Sequence, residues 1–368
     1  MQTVAAVARE PKGDFSIESV EVEMPRAGEV LVRIAGVGLC HTDLIFRDQF
    51  APYPLPAVLG HEGSGTIEAL GEGVEGLAVG DRVVLGFSSC GHCARCDEGL
   101  PSYCRDFPPL NYAGLRLDDG STAYRAGGEA VSSHFFGQSS FAGLAIVRAR
   151  NVVKVEDGEA PLAILGPLGC GFQTGAGGVM RSMACPAGSS IAIIGGGPVG
   201  LAAVMGARIQ GCTTIILVEP VAARRALGEQ LGATHSLDPA SGSVTEALRT
   251  ILPDGFDFAF DTSGRIDAIE AALGALAPRG MLGLVGVPAR AEDALTINIA
   301  GMITFGQRVI GIMEGDSDPQ TFIPELIAHH RAGRFPFDRL VRTYPLAEIN
   351  EAIAAQARGD CVKVVLIP

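Results

Sequence analysis

The chain has 368 residues, 47% of them hydrophobic and 19% charged, with 49 glycines, so it is long enough for two ordinary domains built on many tight turns. Its formal net charge of −13 argues against nucleic acid or an anionic membrane as a partner. Nine cysteines and an N-terminus without a basic, then apolar, leader point to a reducing, cytoplasmic setting, where thiols serve metals better than crosslinks.

In chain order, residues 1 to about 150 read as short β segments at 29–35, 63–70 and 81–85, punctuated by Gly and Pro. That is the pattern of a mainly β, barrel-like lobe. Inside it, Cys90, Cys93, Cys96 and Cys104 follow C-x2-C-x2-C-x7-C in a polar, tightly turned loop. The spacing lets the thiolates converge on one ion and reads as a closed, four-cysteine zinc site that holds structure. A disulfide cluster or an iron-sulfur centre are the alternatives, and nothing else in the sequence points to secretion or electron transfer.

From about 160 to 310, apolar strands at 191–194, 214–218, 256–260 and 281–285 alternate with Ala-rich helices such as 201–210 and 222–231. The alternation predicts an α/β, doubly wound parallel sheet of the Rossmann type. Gly195, Gly197 and Gly200 form G-x-G-x-x-G between the first strand and its helix. They serve the tight turn, the approach of a pyrophosphate, and close helix packing, in that order. Glu219, at the end of the next strand, is placed to accept from ribose hydroxyls and to repel a 2′-phosphate, which favours NAD over NADP. Arg224 and Arg225 follow and soften that preference. A helix at 322–332 and a strand at 362–367 return to the first lobe. The expected division is 1–171 with 313–368 as the catalytic domain and 172–312 as the dinucleotide domain, with the active site in the cleft between lobes.

Three further metal-ligand types, Cys40, His61 and Cys170, lie far apart, and sequence distance alone leaves their convergence open. At these residues the chain resembles the zinc-dependent medium-chain alcohol dehydrogenases, which join a GroES-like catalytic domain to a Rossmann domain. The resemblance covers essentially the whole length: G-H-E-G at 60–63, the four-cysteine loop, L-G-C-G-x-x-T-G at 168–175, the fingerprint and Glu219, in family order. Within the family the likeness is to bacterial aryl and terpene alcohol dehydrogenases of the benzyl alcohol and geraniol type. It is carried by H-F-F-G-Q-S-S-F at 134–141, E-G-D-S-D-P at 314–319, and F-I-P followed by R-A-G-R-F-P-F-D at 331–338.

The resemblance implies two zinc ions per chain, the catalytic one on Cys40, His61 and Cys170, and reversible NAD-dependent oxidation of a primary aryl or allylic alcohol. A polyol, a secondary alcohol or a formaldehyde thiol adduct is the alternative substrate. Thr42 would take the alcohol proton, Asp43 would orient His61, and Glu62 would sit beside the metal. His41 and Lys363 match positions that contact the pyrophosphate, and Thr174, Val199 and Val287 match cofactor-contacting positions. Ile45 departs from the liver-type pattern, in which a histidine ends the proton relay, so the proton must leave to water or through His41. The family also implies a homodimer or homotetramer formed through the nucleotide domain.

Overall fold

The computed structural model describes residues 1–156 and 160–368. They form two compact units, Met1–Cys170 with Asp318–Ala328 and Asp338–Pro368, and Gly171–Ser317 with His329–Phe337.

The first unit is built on strand Glu29–Gly38, which pairs antiparallel with Gly63–Leu70, Leu144–Arg148 and Lys363–Ile367. Val30, Leu31, Val32 and Val37 are fully buried, so this strand has core on both faces. It runs beyond the predicted 29–35 because glycines continue it where no Cβ fits. A Cβ on Gly36 would lie 2.1 Å from the Ala163 carbonyl oxygen, and one on Gly38 would lie 1.9 Å from the Glu62 carboxylate. A second sheet pairs Gln2–Ala8 with Ser16–Val22 and Ala57–Val58, and extends through Tyr124–Ala126 to Glu129–Val131. The C-terminal strand Lys363–Ile367 also pairs parallel with Val341–Pro345, which fastens the end of the chain into this unit.

The second unit is a six-stranded parallel sheet. Counted along the chain, its strands lie in the order 3-2-1-4-5-6, which is the doubly wound arrangement. The first two strands, Ser190–Ile194 and Thr214–Val218, and the fourth, Phe256–Asp261, occupy the centre and are almost wholly buried. The edge strands His235–Leu237 and Arg308–Gly311 carry no continuous apolar run, which is why sequence pattern did not predict them. Ala192, Ile194, Ile216, Val218, Phe256 and Leu282 share one core cluster.

The second unit reaches further along the chain than residue 312. Gln173 Nε2 and Thr174 Oγ1 donate to the buried Glu314 carboxylate at 3.2 and 3.3 Å, which ties 313–317 to it. The His330 ring packs 4.6 Å from Phe337, which lies 5.6 Å from Phe172.

Candidate active site

Cys40 closes strand Glu29–Gly38 and caps helix His41–Arg47. Asp43, in the first turn of that helix and fully buried, organises what surrounds it. One carboxylate oxygen accepts from the Cys40 amide at 2.9 Å. The other accepts from the Gly60 amide at 3.1 Å and faces His61 Nδ1 at 2.8 Å. An ionised carboxylate only accepts, so His61 carries its proton on Nδ1 and turns the lone pair of Nε2 outward. That Nε2 is buried and has no hydrogen-bond partner among the described residues.

Cys40, His61, Glu62 and Cys170 bring their ligand atoms within 4.8 Å of one another. Cys170, distant in sequence, ends the turn Gly166–Gly169 and arrives at the same point. The hydrogen bond from Cys170 pulls the Cys40 thiol well below its usual value, against burial, and His61 and Lys363 add to the effect. Two sulfurs and an orphaned imidazole nitrogen form a donor set for a borderline-soft ion such as Zn2+, so the residues fit the metal that the sequence implied.

Further partners complete the pocket. Lys363, assigned from the resemblance to the pyrophosphate, has its ammonium buried here, 2.5 Å from Glu62 Oε2, and donates to the Leu39 carbonyl at 3.0 Å. The charge pair explains why a lysine sits in the otherwise apolar strand Lys363–Ile367. Thr42 Oγ1 is 3.6 Å from Cys40 Sγ, whereas His41 is exposed and Ile45 is half-buried.

Sequence reasoning missed the wall behind His61. His134, Phe136 and Ser139 all adopt positive φ, at 61°, 49° and 52°, in a segment that is entirely buried. The Phe136 ring stacks on His61 with centroids 4.4 Å apart and planes 23° apart. Gln138 donates to the His61 carbonyl at 2.9 Å and accepts from the Gly63 amide at 3.0 Å. A buried amide in an aromatic, Gly-containing run was the available signal.

The four-cysteine loop closes on itself. Sulfur separations are 4.0 Å for Cys90 to Cys96, 3.7 Å for Cys93 to Cys96 and 3.9 Å for Cys93 to Cys104. A tetrahedron of Zn–S bonds of about 2.3 Å has edges of about 3.8 Å, whereas a disulfide needs about 2.05 Å. Backbone N–H groups of Arg105 and Cys96 pull Cys93 down to about 6, while burial pushes Cys104 up to about 12. Only a cation lets all four sulfurs be thiolates together.

In the second unit, Gly195 takes φ 99° at the turn, and a Cβ on Gly200 would lie 1.8 Å from the Gly195 carbonyl oxygen. Gly197 caps helix Pro198–Gln210, whose second residue is Val199, and faces open space. The Glu219 carboxylate accepts from the Gly196 amide at 2.6 Å and the Val221 amide at 2.8 Å, and so bridges the fingerprint turn to the next strand end. Beside it lies a pocket of about 530 Å³ lined by Gly195, Val218, Pro220, Ala240, Ser263 and Arg265 among others. Arg225 is held by the Glu219 and Pro220 carbonyls and by Asp238, while the buried Arg224 Nε has no partner among the described residues. Thr174 is buried against Glu314 and Val287 is exposed.

Residues 26–157 match the family described as "Alcohol dehydrogenase GroES-like domain", and residues 198–329 match "Zinc-binding dehydrogenase". Geraniol dehydrogenase of Castellaniella defragrans is 48% identical over 99% of this chain and 97% of its own length. The crystal structure of benzyl alcohol dehydrogenase from Acinetobacter calcoaceticus is 39% identical, with a TM-score of 0.96 over 100% of this chain and 99% of that one. A zinc-binding dehydrogenase from Sinorhizobium meliloti, bound to NADP, is 26% identical, with a TM-score of 0.83 over 100% of both chains. Identity of this extent along the whole length, on a shared fold, means that the chain belongs to the zinc-binding, medium-chain alcohol dehydrogenase family and is an oxidoreductase of that family.

Proposed function

We propose that the protein is an NAD-dependent enzyme that reversibly oxidises a primary aryl or allylic alcohol to its aldehyde, with two zinc ions per chain. The observation that carries this reading is the buried, unpartnered His61 Nε2 gathered with Cys40 and Cys170. Cys40, His61 and Cys170 hold the catalytic zinc, and Cys90, Cys93, Cys96 and Cys104 hold the structural one. Zinc bound at the first site supplies a Lewis acid that makes an alcohol hydroxyl more acidic, and NAD supplies the hydride acceptor.

The chain's own residues do the rest. Asp43 fixes the His61 ring and the Cys40 backbone, so two ligands are oriented by one carboxylate. The Lys363–Glu62 pair keeps the Glu62 charge compensated beside the ligands. Gly195, Gly197, Gly200, Val199 and Glu219 bind the dinucleotide, with Thr174 and Val287 as further cofactor contacts. The relatives named for geraniol and benzyl alcohol support an aryl or allylic substrate. So does the aromatic surround of His61, where Phe46, Tyr53, Tyr112, Phe135 and Phe136 pack ring against ring. Benzyl alcohol, geraniol, sorbitol and 2-butanol, each offered with NAD and followed by NADH absorbance, test the reading. Turnover confined to the last two overturns the substrate class.

Thr42 would take the proton from the alcohol and release it to water, because Ile45 offers no imidazole. Thr42→Ala should cost about 10²–10⁴-fold in turnover, the usual range for a positioned proton acceptor. His41→Gln should chiefly weaken NAD binding. A slowed proton-transfer step in His41→Gln, at unchanged NAD affinity in single-turnover kinetics, would assign the base to His41 instead.

Glu219 sets cofactor choice. Wild-type protein should favour NAD, and Glu219→Ala should shift relative kcat/KM toward NADP, with Arg224 free to meet the added phosphate. Equal wild-type efficiency with both cofactors would falsify this role.

We infer assembly into a homodimer or homotetramer through the nucleotide unit. Helix Ile299–Phe305 exposes Ile299 at 74% and Ile303 at 76%, beside the open edge strand Arg308–Gly311. A reducing, cytoplasmic setting suits a chain most of whose cysteines are gathered at two metal-ligand clusters. Among the described residues no helix is long and apolar enough to cross a membrane.

A further inference from the structure

His61 sits where the chain has no strand of its own. Residues 59–62 lie between strands Ala57–Val58 and Gly63–Leu70 and belong to neither, yet Leu59, Gly60, His61 and Glu62 are all buried. Buried backbone groups outside regular structure still need hydrogen-bond partners. A second irregular segment, 138–141, supplies one for each of four successive carbonyls. Ser139 Oγ donates to the Val58 carbonyl at 2.6 Å, the Phe141 amide to the Leu59 carbonyl at 3.0 Å, the Ser140 amide to the Gly60 carbonyl at 2.9 Å, and Gln138 Nε2 to the His61 carbonyl at 2.9 Å. The two segments pack so closely that a Cβ on Gly60, which adopts φ 87°, would lie 2.6 Å from the Phe141 amide nitrogen.

Within this seam Gln138 is the residue that reaches the ligand, and it is fully buried. Its Oε1 accepts from the Gly63 amide at 3.0 Å and from Ser140 Oγ at 2.9 Å. Its Nε2 also donates to the Gly86 and Leu85 carbonyls at 3.2 and 3.4 Å. A backbone N–H on one side and three carbonyls on the other leave the amide one orientation. One side chain thus brackets residues 61–63 and ties them to the end of strand Arg82–Leu85.

We propose that Gln138 is a positioning residue for His61: its amide fixes the backbone from which the imidazole projects, so that Nε2 stays on the point shared with Cys40 and Cys170. This role rests on the zinc reading of that site. Asp43 holds the ring only at Nδ1, and the stacked Phe136 ring resists tilting but not turning within the ring plane. Without Gln138 the His61 carbonyl and the Gly63 amide lose their partners in a buried place, and the segment moves to find others. The ring then turns about Nδ1, and Nε2 swings off the sulfurs.

The test uses Gln138→Met in the full-length protein, a change that keeps the side-chain length and removes every hydrogen bond. A chelator empties the first site, which is then reloaded with Zn2+ or Co2+. Zn2+ affinity, read by competition with a chromophoric chelator, should fall about 10–100-fold, the range for partners that orient metal ligands. The Co2+ absorption bands should shift, and the NADH fluorescence titration should not change. An affinity within about two-fold of wild type together with an identical Co2+ spectrum overturns the proposal, because a packing role alone lowers Tm and moves neither. Ser140→Ala removes only the hydroxyl that aims Gln138 Oε1 and should weaken Zn2+ about two- to ten-fold. If Gln138→Met folds poorly, Ser140→Ala decides, and wild-type affinity and spectrum in it overturn the role. Wild-type protein that takes up no ion beyond the one in the four-cysteine loop overturns the zinc reading itself, and this role with it.

Discussion

Cys170→Ser is expected to lower turnover on the order of 10³-fold or more while leaving a folded protein that still binds the dinucleotide. The magnitude follows from losing a Lewis acid that contributes several kcal/mol in the transition state, at about 1.4 kcal/mol per tenfold in rate. Cys170 supplies one of two sulfurs in the ligand group and the hydrogen bond that favours the Cys40 thiolate, so its loss weakens both. The fingerprint, Glu219 and their hydrogen bonds involve none of these residues. Three measurements check the result: metal content falling from two zincs per chain to one, NADH fluorescence titration unchanged, and kcat collapsed. Retained turnover after loss of that zinc would remove the catalytic role assigned to it.

Cys96→Ser should do the reverse, with a large loss of stability and a smaller effect on chemistry. The loop around Cys96 has little else to hold it. Its helix, Ala94–Asp97, has one turn and no buried residue, and a helix that short does not persist on its own. Metal binding in comparable small sites carries about 10–16 kcal/mol of apparent free energy, much of it spent on ordering the chain. Losing even about a third of that corresponds to a fall in Tm of roughly 10 °C or more. The loss should also be felt weakly at His61. Cys104 leads into helix Phe107–Tyr112, Phe107 and Tyr112 both contact the Phe136 ring, and Phe136 stacks on His61. Turnover per folded, zinc-retaining molecule should stay within about tenfold, since these are packing contacts rather than ligands. A Cys96→Ser protein with wild-type Tm and one zinc fewer would show that the loop does not need the metal.

Much of the fold was legible because periodic signals are local. The alternation of apolar strands and Ala-rich helices carried the parallel sheet, and the glycine fingerprint identified its first turn. The edge strands His235–Leu237 and Arg308–Gly311 were not legible, because their pairing is decided by neighbours rather than by their own residues. The four-cysteine loop was readable for a similar reason. Its ligands lie within fifteen residues, so spacing alone brings the sulfurs near one point.

The sequence by itself determined the chemistry available to this protein: its sulfur and imidazole ligands, its dinucleotide turn, and the carboxylate two strands into the sheet. Only the tertiary structure decided which of these groups meet. Cys40, His61 and Cys170 are separated by long stretches of chain, and their convergence depends on how strands and turns pack, which no spacing rule encodes. The same holds for Lys363, which the resemblance assigns to the cofactor pyrophosphate and which the fold buries as the counter-charge of Glu62. A lysine is free to snorkel to solvent unless the fold closes over it, and burial is a property of the packed molecule rather than of the residue.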